Sequence, residues 1–190
     1  MFSLQGHIGI YPHETIYSML IVLRLEHRPF RDQRISTHCG LVSRALGASK
    51  IIYTGLKDDH FENSIRGVTG NFGGNFDIEY SESWRKVFSE YRKKKFKIVH
   101  LTMYGLEIQK EIKKLRKIKN ILLVVGGEKV PHEVYQLADF NISVTNQPHS
   151  EVAGLAVFLH EYFGGKELEK KFKGRLTVIP QERGKKVEGK

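Results

Sequence analysis

The sequence predicts an α/β protein whose core is one mainly parallel sheet flanked by helices. Short apolar strands alternate with segments of helical period along nearly the whole chain, which is typical of a parallel sheet. A chain of 190 residues that is 40% hydrophobic is long enough for one domain of ordinary size. We expect this domain over residues 19–165, a small β extension with a basic tail over 166–190, and a leader or extension outside the core over 1–18.

The first half of the chain begins with a strand and a basic loop. In order, we predict a strand over 21–25, an exposed loop over 27–34, a helix over 36–47, a strand over 51–53 and a glycine-rich stretch over 55–75. Ser36 and Thr37 are candidate N-caps of the helix, and Gly47 terminates it. The glycine-rich stretch has weak periodicity, so only a short helix between loops is expected there.

The second half continues the alternation of strands and helices. In order, we predict a strand over 76–80, a helix over 83–94, a strand over 98–103, a helix over 106–117, a buried strand over 121–125, a helix after Pro131, a strand over 141–145, a helix over 150–163 and a strand over 176–179. Pro131 suits the first turn of a helix, and Gly164 with Gly165 terminates the last one.

Charge and composition restrict the class of partner. The 31 basic and 21 acidic residues give a formal net charge of +10, which suits nucleic acid because each neutralised phosphate releases counterions. The lysine excess of a thermophilic protein would give the same charge without any RNA. Cys39 is the single cysteine, so an intrachain disulfide and a thiolate zinc cluster are excluded, and a cytoplasmic location is expected. The apolar runs are too short to span a bilayer, and residues 1–18 lack the features of a signal peptide.

Three strand-to-loop transitions in the C-terminal half are rich in small or polar residues. They lie at residues 101–105, 125–131 and 145–151. Ligands of parallel α/β sheets bind outside the carboxyl ends of the strands, so we expect these loops to form one pocket. The chain has neither a G-x-G-x-x-G after its first strand nor a G-x-x-x-x-G-K-[ST] loop, which argues against a classical dinucleotide site and a P-loop.

The same loops resemble the cofactor-binding loops of SPOUT methyltransferases, and their residues are similar to those of the archaeal tRNA cytidine-56 2'-O-methyltransferase family. The resemblance covers residues 21–187, and its matching stretches are 25–29, 37–38, 43–48, 100–105, 126–131, 133–139, 146–153, 172–174 and 180–181. It implies S-adenosylmethionine (SAM) as methyl donor and the ribose 2'-hydroxyl of cytidine 56 in the T-loop of tRNA as acceptor. It also implies a deep trefoil knot in the C-terminal half and a homodimer whose active site is shared between subunits.

The resemblance places the cofactor against the backbone of the three loops. The positions carried over by motif are Leu101, Gly126, Gly127, Glu128, Lys129, Val130, Val144, Thr145, Asn146, Gln147, Pro148, His149, Ser150 and Glu151. Glycine at two successive positions, 126 and 127, would let the chain approach a ligand closely. The alternative is that these glycines only form a tight turn after a buried strand.

Four residues are candidates for the chemistry: Arg44, His38, Glu128 and Glu151. Arg44 matches the arginine that the family assigns to the ribose hydroxyl, but a guanidinium stays protonated and is a poor general base. We therefore expect Arg44 to position phosphate and to orient the 2'-hydroxyl. For His38 a capping or packing role is the alternative, and either glutamate could orient a cationic partner. No histidine spacing matches a metal motif, so no metal is predicted.

Arginines near the first strand are the predicted RNA contacts. They are Arg24, Arg28, Arg31 and Arg34, and the tail adds weaker candidates at Arg183, Lys185 and Lys186. Arginine suits phosphate because its planar guanidinium can bind two oxygens at once. Two other functions stay open: a methyltransferase of the same fold that acts on a base nitrogen, and a dimeric RNA-binding module without SAM affinity. Nucleoside mass spectrometry would separate sugar from base methylation, and SAM binding would exclude the module.

Overall fold

A computed structural model of the chain describes residues 19–127 and 129–189, apart from the side chain of Gln33. The expected leader over 1–18 and Glu128 lie outside the described residues. Six strands form one sheet: β1 (Met19–His27), β2 (Lys50–Gly55), β3 (Asp77–Tyr80), β4 (Lys97–Glu107), β5 (Asn120–Val125) and β6 (Phe140–Ser143). In the order β3-β2-β1-β5-β4-β6, every neighbouring pair is parallel. The predicted fold class, a parallel sheet flanked by helices, is confirmed.

Helices cover both faces of the sheet, and a hairpin follows them. The helices of the described chain are α1 (Pro29–Ala45), α2 (Asp59–Phe72), α3 (Trp84–Lys93), α4 (Ile108–Leu115), α5 (His132–Leu137) and α6 (Glu151–Phe163). A 3-10 turn over Lys166–Glu169 leads to the antiparallel hairpin of β7 (Leu176–Ile179) and β8 (Lys186–Gly189). Within the described ranges, no helix is long and apolar enough to cross a membrane.

Two hydrophobic cores lie on opposite faces of the sheet. On one face α1, α2, α4 and α6 pack on the strands, with Phe61 and Phe158 fully buried. On the other face, α3 and α5 bury Trp84 and Val134. The central strands are buried on both faces, which explains why residues 121–125 are continuously apolar rather than alternating.

The strand order reverses beside β1. From β1 the chain moves outward to β2 and β3, and it then returns to the other side of β1 with β4, β5 and β6. A crevice opens outside the carboxyl ends of the strands at such a switch point. The ends of β1, β4 and β5 and the loops that follow them therefore meet at one edge of the sheet.

The long strand β4 is interrupted where it passes β6. Residues 102–105 bulge out, and the residues on both sides of the bulge pair with Ile142. A Cβ on Gly105 would lie 2.5 Å from the carbonyl carbon of Asn141, so the close approach of the two backbones requires glycine. The side-chain amide of Asn146 donates a hydrogen bond to the Gly105 carbonyl at 3.2 Å. The trefoil knot that the resemblance implies for the C-terminal half stays a prediction.

The predicted loop over residues 27–34 is wrong. Helix α1 begins at Pro29, where proline is favoured because the first helical N–H has no intrahelical partner and the proline ring presets φ. Ser36 and Thr37, predicted to be N-caps, lie inside the helix. The arginines after Pro29 are therefore carried by a rigid helix rather than by a loop.

The glycine-rich stretch holds a 14-residue helix, α2, rather than a short one. Its N-cap is Asp58, whose Oδ1 accepts hydrogen bonds from the amides of His60 and Phe61 at 2.9 and 3.1 Å. Gly67 and Gly70, which weaken the helical pattern, face open space, since a Cβ there would meet no neighbouring atom within 4 Å. The cap and the buried apolar positions outweigh the low helix propensity of these glycines.

The C-terminal extension contains a strand that was not predicted. Strand β8 lies in the segment expected to be a basic tail, and it pairs with β7. The preceding segment packs tightly against the end of α2, because a Cβ on Gly73 would overlap the Lys173 carbonyl and one on Gly74 would lie 2.7 Å from the Phe172 ring. The division into a domain over 19–165 and an extension over 166–190 stays a prediction.

Candidate active site

A cavity of about 300 Å³ opens at the carboxyl ends of β4 and β5. Its position follows the rule that parallel sheets bind ligands beside the strand where the order reverses. Its walls are formed by His100, Leu101, Thr102, Met103, Tyr104, Val125, Gly126, Gly127, Val130, Tyr135, His149, Glu151 and Gly154.

Two glycines keep this cavity open. A Cβ on Gly126 would overlap Cγ2 of Val130, so the loop after β5 can fold back on itself only with glycine at that position. A Cβ on Gly154 of α6 would lie 3.1 Å from Nε2 of His149 and 3.6 Å from Cδ2 of Leu101. The absence of both side chains leaves space between the converging loops.

One wall of the cavity holds a neutral histidine. The amide nitrogen of Asn141 donates to the Tyr135 carbonyl at 2.8 Å, which turns the amide oxygen toward Nδ1 of His100 at 2.9 Å. Nδ1 therefore carries the proton and Nε2 is an acceptor. Burial lowers the pKa of His100, so the imidazole is uncharged at neutral pH. The Tyr135 ring packs edge-on at 4.6 Å and fixes its orientation.

A partly buried ion pair stands at the cavity wall that contains Glu151. Nη2 of Arg24 lies 3.1 Å from Oε2 of Glu151, and the two side chains are 1% and 29% exposed. Nη1 of Arg24 donates to the Leu25 carbonyl at 2.9 Å. Burial raises the pKa of the Glu151 carboxyl, although the charge of Arg24 opposes this shift. The predicted RNA contact at Arg24 is wrong, because its guanidinium lies against Gly127 inside the protein.

The structure brings together about half of the residues predicted to bind the cofactor. The cavity walls include Leu101, Gly126, Gly127, Val130, His149 and Glu151. The walls do not include Lys129, Val144, Thr145, Asn146, Gln147, Pro148 and Ser150. Two of these residues have structural partners instead, since Asn146 binds the β4 bulge and Ser150 caps α6 by accepting from the Ala153 amide at 3.4 Å. Glu128 lies outside the described residues.

Four wall residues lie in the loops predicted to form the pocket but were not predicted as cofactor contacts: Thr102, Met103, Tyr104 and Val125. Three other wall residues lie outside those loops: His100, Tyr135 and Gly154. A strand over 98–103 predicts that neighbouring side chains face opposite sides, whereas the bulge at 102–105 exposes consecutive residues to the cavity. The similarity of residues 100–105 to the methyltransferase family is the sequence feature that could have identified these wall residues. Tyr135 and Gly154 lie on helices, and no local pattern distinguishes them from core positions.

Arg44 does not lie in the cavity of its own chain. It occupies the last turn of α1, where Nε donates to the Gly73 carbonyl at 3.1 Å and the Phe172 ring centroid lies 4.9 Å from Cζ. Burial lowers the pKa of Arg44, but a guanidinium remains protonated. Helix α1 begins with Pro29 at the edge of the sheet where the cavity opens. At 1.5 Å per residue, Arg44 lies about 22 Å further along the helix axis. His38, exposed on the same helix, does not line the cavity either.

The remaining predicted RNA contacts lie at the start of α1. Arg31 and Arg34 are exposed, and Arg28 is partly exposed. Nε of Arg28 donates to Oδ2 of Asp32 at 3.0 Å, one helical turn away. Because α1 follows the carboxyl end of β1, these residues stand at the edge of the sheet where the cavity opens. Their contact with RNA stays a prediction.

In the part of the chain that the structure describes, no group of three or more His, Cys, Asp and Glu side chains is placed to hold a metal ion. Cys39, the single cysteine, is buried in α1. Burial raises the pKa of its thiol to about 12, so the thiol is uncharged at neutral pH.

The fold is that of the SpoU class of RNA methyltransferases. The SpoU methyltransferase AviRb from Streptomyces viridochromogenes, solved in complex with the cofactor AdoMet, superposes with a TM-score of 0.59 at 17% identity, over 79% of this chain and 58% of that chain. The A. aeolicus TrmH/SpoU tRNA modifying enzyme superposes with a TM-score of 0.57 at 17% identity, over 81% of this chain and 80% of that one. At these identities the likeness shows the fold.

The family follows from sequence similarity. The profile described as "tRNA ribose 2'-O-methyltransferase, aTrm56" matches residues 72–188. The tRNA (cytidine(56)-2'-O)-methyltransferase of Thermococcus kodakarensis is 51% identical over 174 residues, 89% of this chain and 96% of that protein. That of Methanocaldococcus jannaschii is 52% identical over 87% of this chain and 94% of its own length. A relative of the same name in Picrophilus torridus is 51% identical, and this chain spans 48% of its length. The chain belongs to the tRNA ribose 2'-O-methyltransferase family, and the resemblance is confirmed.

Proposed function

We propose that the chain transfers the methyl group of SAM to the ribose 2'-hydroxyl of cytidine 56 in the T-loop of tRNA. The observation that carries this proposal is the cavity, where the loops that match the family's cofactor loops meet at the switch point of the sheet. About half of the aligned residues are identical in relatives named tRNA (cytidine(56)-2'-O)-methyltransferase. The chain is thus a SAM-dependent methyltransferase, and we place it in the cytoplasm.

The walls of the cavity fit SAM. Leu101 and Val130 offer apolar surface to an adenine ring, and the backbone of Gly126 and Gly127 offers polar groups at close range. A volume of about 300 Å³ is at the lower end of the range for small-molecule sites. When bound, SAM supplies an electrophilic methyl group on a sulfonium whose positive charge is lost as the 2'-oxygen attacks in line. Orientation and a suitable field therefore matter more than acid catalysis.

We assign Glu151 to the orientation of cationic groups in the cavity. Arg24 holds its carboxylate at 3.1 Å, so the side chain stands at the wall in one geometry. The guanidinium is buried and anchored to the Leu25 carbonyl, which makes it a fixed support rather than a mobile surface charge. Glu128, the second carboxylate considered for this role, stays a prediction.

We assign Arg44 to the acceptor ribose, in a homodimer in which Arg44 of one subunit faces the cavity of the other. Within one chain, Arg44 and the cavity are separated by about the length of α1. A two-fold interface would bring Arg44 of each subunit to the cavity of its partner. The Gly73 carbonyl holds Nε and Nη2 of Arg44, so Nη1 is the atom assigned to the phosphate and the 2'-hydroxyl. A protonated guanidinium orients the hydroxyl and does not remove its proton. His38, exposed on the same helix, is a candidate for a second contact.

We assign the basic start of α1 to the tRNA backbone. Arg28, Arg31 and Arg34 lie at the edge where the cavity opens, and phosphate contacts there would set the position of the RNA. The methyltransferase domain would comprise residues 19–165. The extension over 166–190, with Arg183, Lys185 and Lys186, would add a weaker basic surface.

The direct test is incubation of the protein with SAM and an unmodified tRNA transcript, followed by digestion and mass spectrometry of the nucleosides. We expect 2'-O-methylcytidine at position 56. A matched tRNA with 2'-deoxycytidine at position 56 should accept no methyl group, since it lacks the acceptor oxygen. Methylation of a base nitrogen, or no transfer to correctly folded tRNA, would contradict the proposal.

A further inference from the structure

Phe30 is the most exposed large apolar side chain of the described residues. Its ring is fully exposed in the first turn of α1, directly after Pro29. The proline fixes the start of the helix, so a rigid backbone presents the ring to solvent. A single exposed apolar residue is common and needs no explanation by itself. The surroundings of Phe30 are what give it a role.

Three arginines lie near Phe30 in the sequence at the start of α1, and one of them, Arg28, is paired with Asp32. Arg31 is the next residue, and Arg34 follows Phe30 by one helical turn, so it shares the same face of α1. Arg28 stands just before the helix. Proteins that bind single-stranded nucleic acid combine basic residues that track the phosphates with aromatic rings on which bases stack. The start of α1 has both components within two turns.

The ring also stands beside the proposed active site. Helix α1 starts at the edge of the sheet where the cavity opens, because it follows the carboxyl end of β1. Glu151, on the cavity wall, is close enough to Arg28 and Asp32 for their charges to act on its carboxyl group. Arg28 and Asp32 therefore lie near Glu151, and Phe30 lies between them in the first turn of α1.

We propose that Phe30 is a stacking platform for an unpaired base of the tRNA, next to the nucleotide whose ribose is methylated. This inference rests on the proposed function. The 2'-hydroxyl of the target ribose must reach the methyl group of SAM at the mouth of the cavity, so the tRNA loop has to lie close to the start of α1. An exposed aromatic ring there offers a surface on which an unpaired loop base can stack. Any base offers a flat π-face, so the ring contributes affinity and position rather than sequence preference.

The test compares Phe30→Ala, Phe30→Leu and Phe30→Trp with wild-type protein. We expect Phe30→Ala to weaken tRNA binding roughly 5- to 150-fold, the range for loss of one stacked base. Phe30→Leu keeps an apolar side chain without a π-face and should be nearly as weak. Phe30→Trp keeps an aromatic ring and should bind tRNA as tightly as the wild type. The fluorescence of the new indole should change when tRNA is added. SAM affinity should be unchanged in all three variants.

Two controls separate stacking from other effects. Leu168→Ala removes another exposed apolar side chain, 64% exposed on the 3-10 turn, and should leave tRNA affinity unchanged. The salt dependence of binding should be the same in Phe30→Ala and wild type, because no phosphate contact is lost. Arg34→Gln should instead lower the slope of log K against log salt by about one.

Each outcome decides between the inference and the function on which it rests. Wild-type tRNA affinity in Phe30→Ala would overturn the stacking role, as would dissociation of a dimer in that variant, since a second copy would then cover the ring. If wild-type protein methylates tRNA and Phe30→Ala has no effect, only the stacking role fails. If wild-type protein binds tRNA through Phe30 but transfers no methyl group, the proposed function fails, and Phe30 keeps a role in tRNA binding without its assigned place beside a methylated ribose.

Discussion

The cavity and Arg44 lie at opposite ends of α1 and have different kinds of surroundings. The cavity lies at the carboxyl edge of the sheet, and loops from one chain form its walls. Arg44 lies at the far end of α1, about 22 Å along the helix at 1.5 Å per residue. There the Gly73 carbonyl and the Phe172 ring hold its guanidinium, and none of the cavity walls is nearby.

This difference indicates which part of the reaction each region can perform alone. All the walls of the cavity belong to one chain, and they include small glycines, a neutral histidine and a paired carboxylate. A cation fixed on a helix end can orient an acceptor but cannot bind a cofactor. In the proposed homodimer, Arg44 of one subunit would complete the cavity of the other.

Replacement of Arg44 should give the largest effect. We expect Arg44→Ala to lower kcat roughly 100- to 1,000-fold, the range for loss of one preorganised group in the transition state. SAM affinity should not change, because Arg44 does not line the cavity. Steady-state kinetics with a tRNA transcript and calorimetry with SAM would measure both quantities. Arg44→Lys keeps the charge without the planar fork and should recover only part of kcat. If Arg44→Ala also lost SAM affinity, Arg44 would belong to the cofactor site, and the cavity and the surroundings of Arg44 would not have separate roles.

Filling the cavity should give the next largest effect. Gly154→Leu puts a side chain between His149 and Leu101, so we expect SAM affinity to fall by about tenfold or more, in line with the cost of overpacking. Gly154→Ala is the matched control and should bind SAM nearly normally, since a Cβ requires only a small movement of His149. Thermal unfolding would show that both variants fold. If Gly154→Leu bound SAM with wild-type affinity, the cofactor would have to bind outside this cavity.

Loss of the ring beside Arg44 should have a smaller effect. Phe172→Leu removes a cation–π contact worth about 0.5–2 kcal/mol, so kcat should fall by no more than about 30-fold, while SAM affinity stays constant. Phe172→Tyr keeps the ring and should restore kcat. In an Arg44→Ala background, Phe172→Leu should cause no further loss of kcat if it acts through Arg44. An additional loss in that background would show a separate role for Phe172.

The smallest predicted effect is a pH dependence of stability. Burial lowers the pKa of His100 below its ordinary value of 6.5, so the folded protein binds this proton less readily than the unfolded chain does. The stability due to the neutral imidazole is present above pH 6.5 and is lost as the pH falls through the lowered pKa. His100→Gln should therefore flatten the free energy of unfolding in this acid range, as urea denaturation would measure. The exposed His132→Gln should keep the wild-type slope, and an equal slope in both variants would contradict the assignment.

The sequence predicted the sheet and the place of the cavity because both depend on local signals. Buried strands are short apolar runs, and the loops after 101, 125 and 145 contain small residues at the carboxyl ends where parallel strands meet. The family resemblance added the activity. The loop composition and the family resemblance together predicted Leu101, Gly126 and Gly127 as cofactor-binding residues, and all three line the cavity.

Other features depend on contacts that no local pattern contains. Arg24 resembles a surface arginine in sequence, and only the fold brings Glu151 within 3.1 Å of it. The bulge after Leu101 results from the close approach of β6, which is distant in sequence. The early start of α1 was missed for a different reason, since Pro29 was interpreted as a loop residue although proline also begins helices.

Mixing two defective proteins tests most directly whether each site combines the two regions from different subunits. Arg44→Ala and Gly154→Leu proteins would be denatured, mixed in equal amounts and refolded together, and methyl transfer to tRNA would be measured against each parent. We predict recovery to roughly one quarter of wild-type activity, because half of the dimers would be mixed and each would contain one intact site. Activity no higher than that of the parents, in a mixture shown to contain mixed dimers, would contradict an active site shared between subunits.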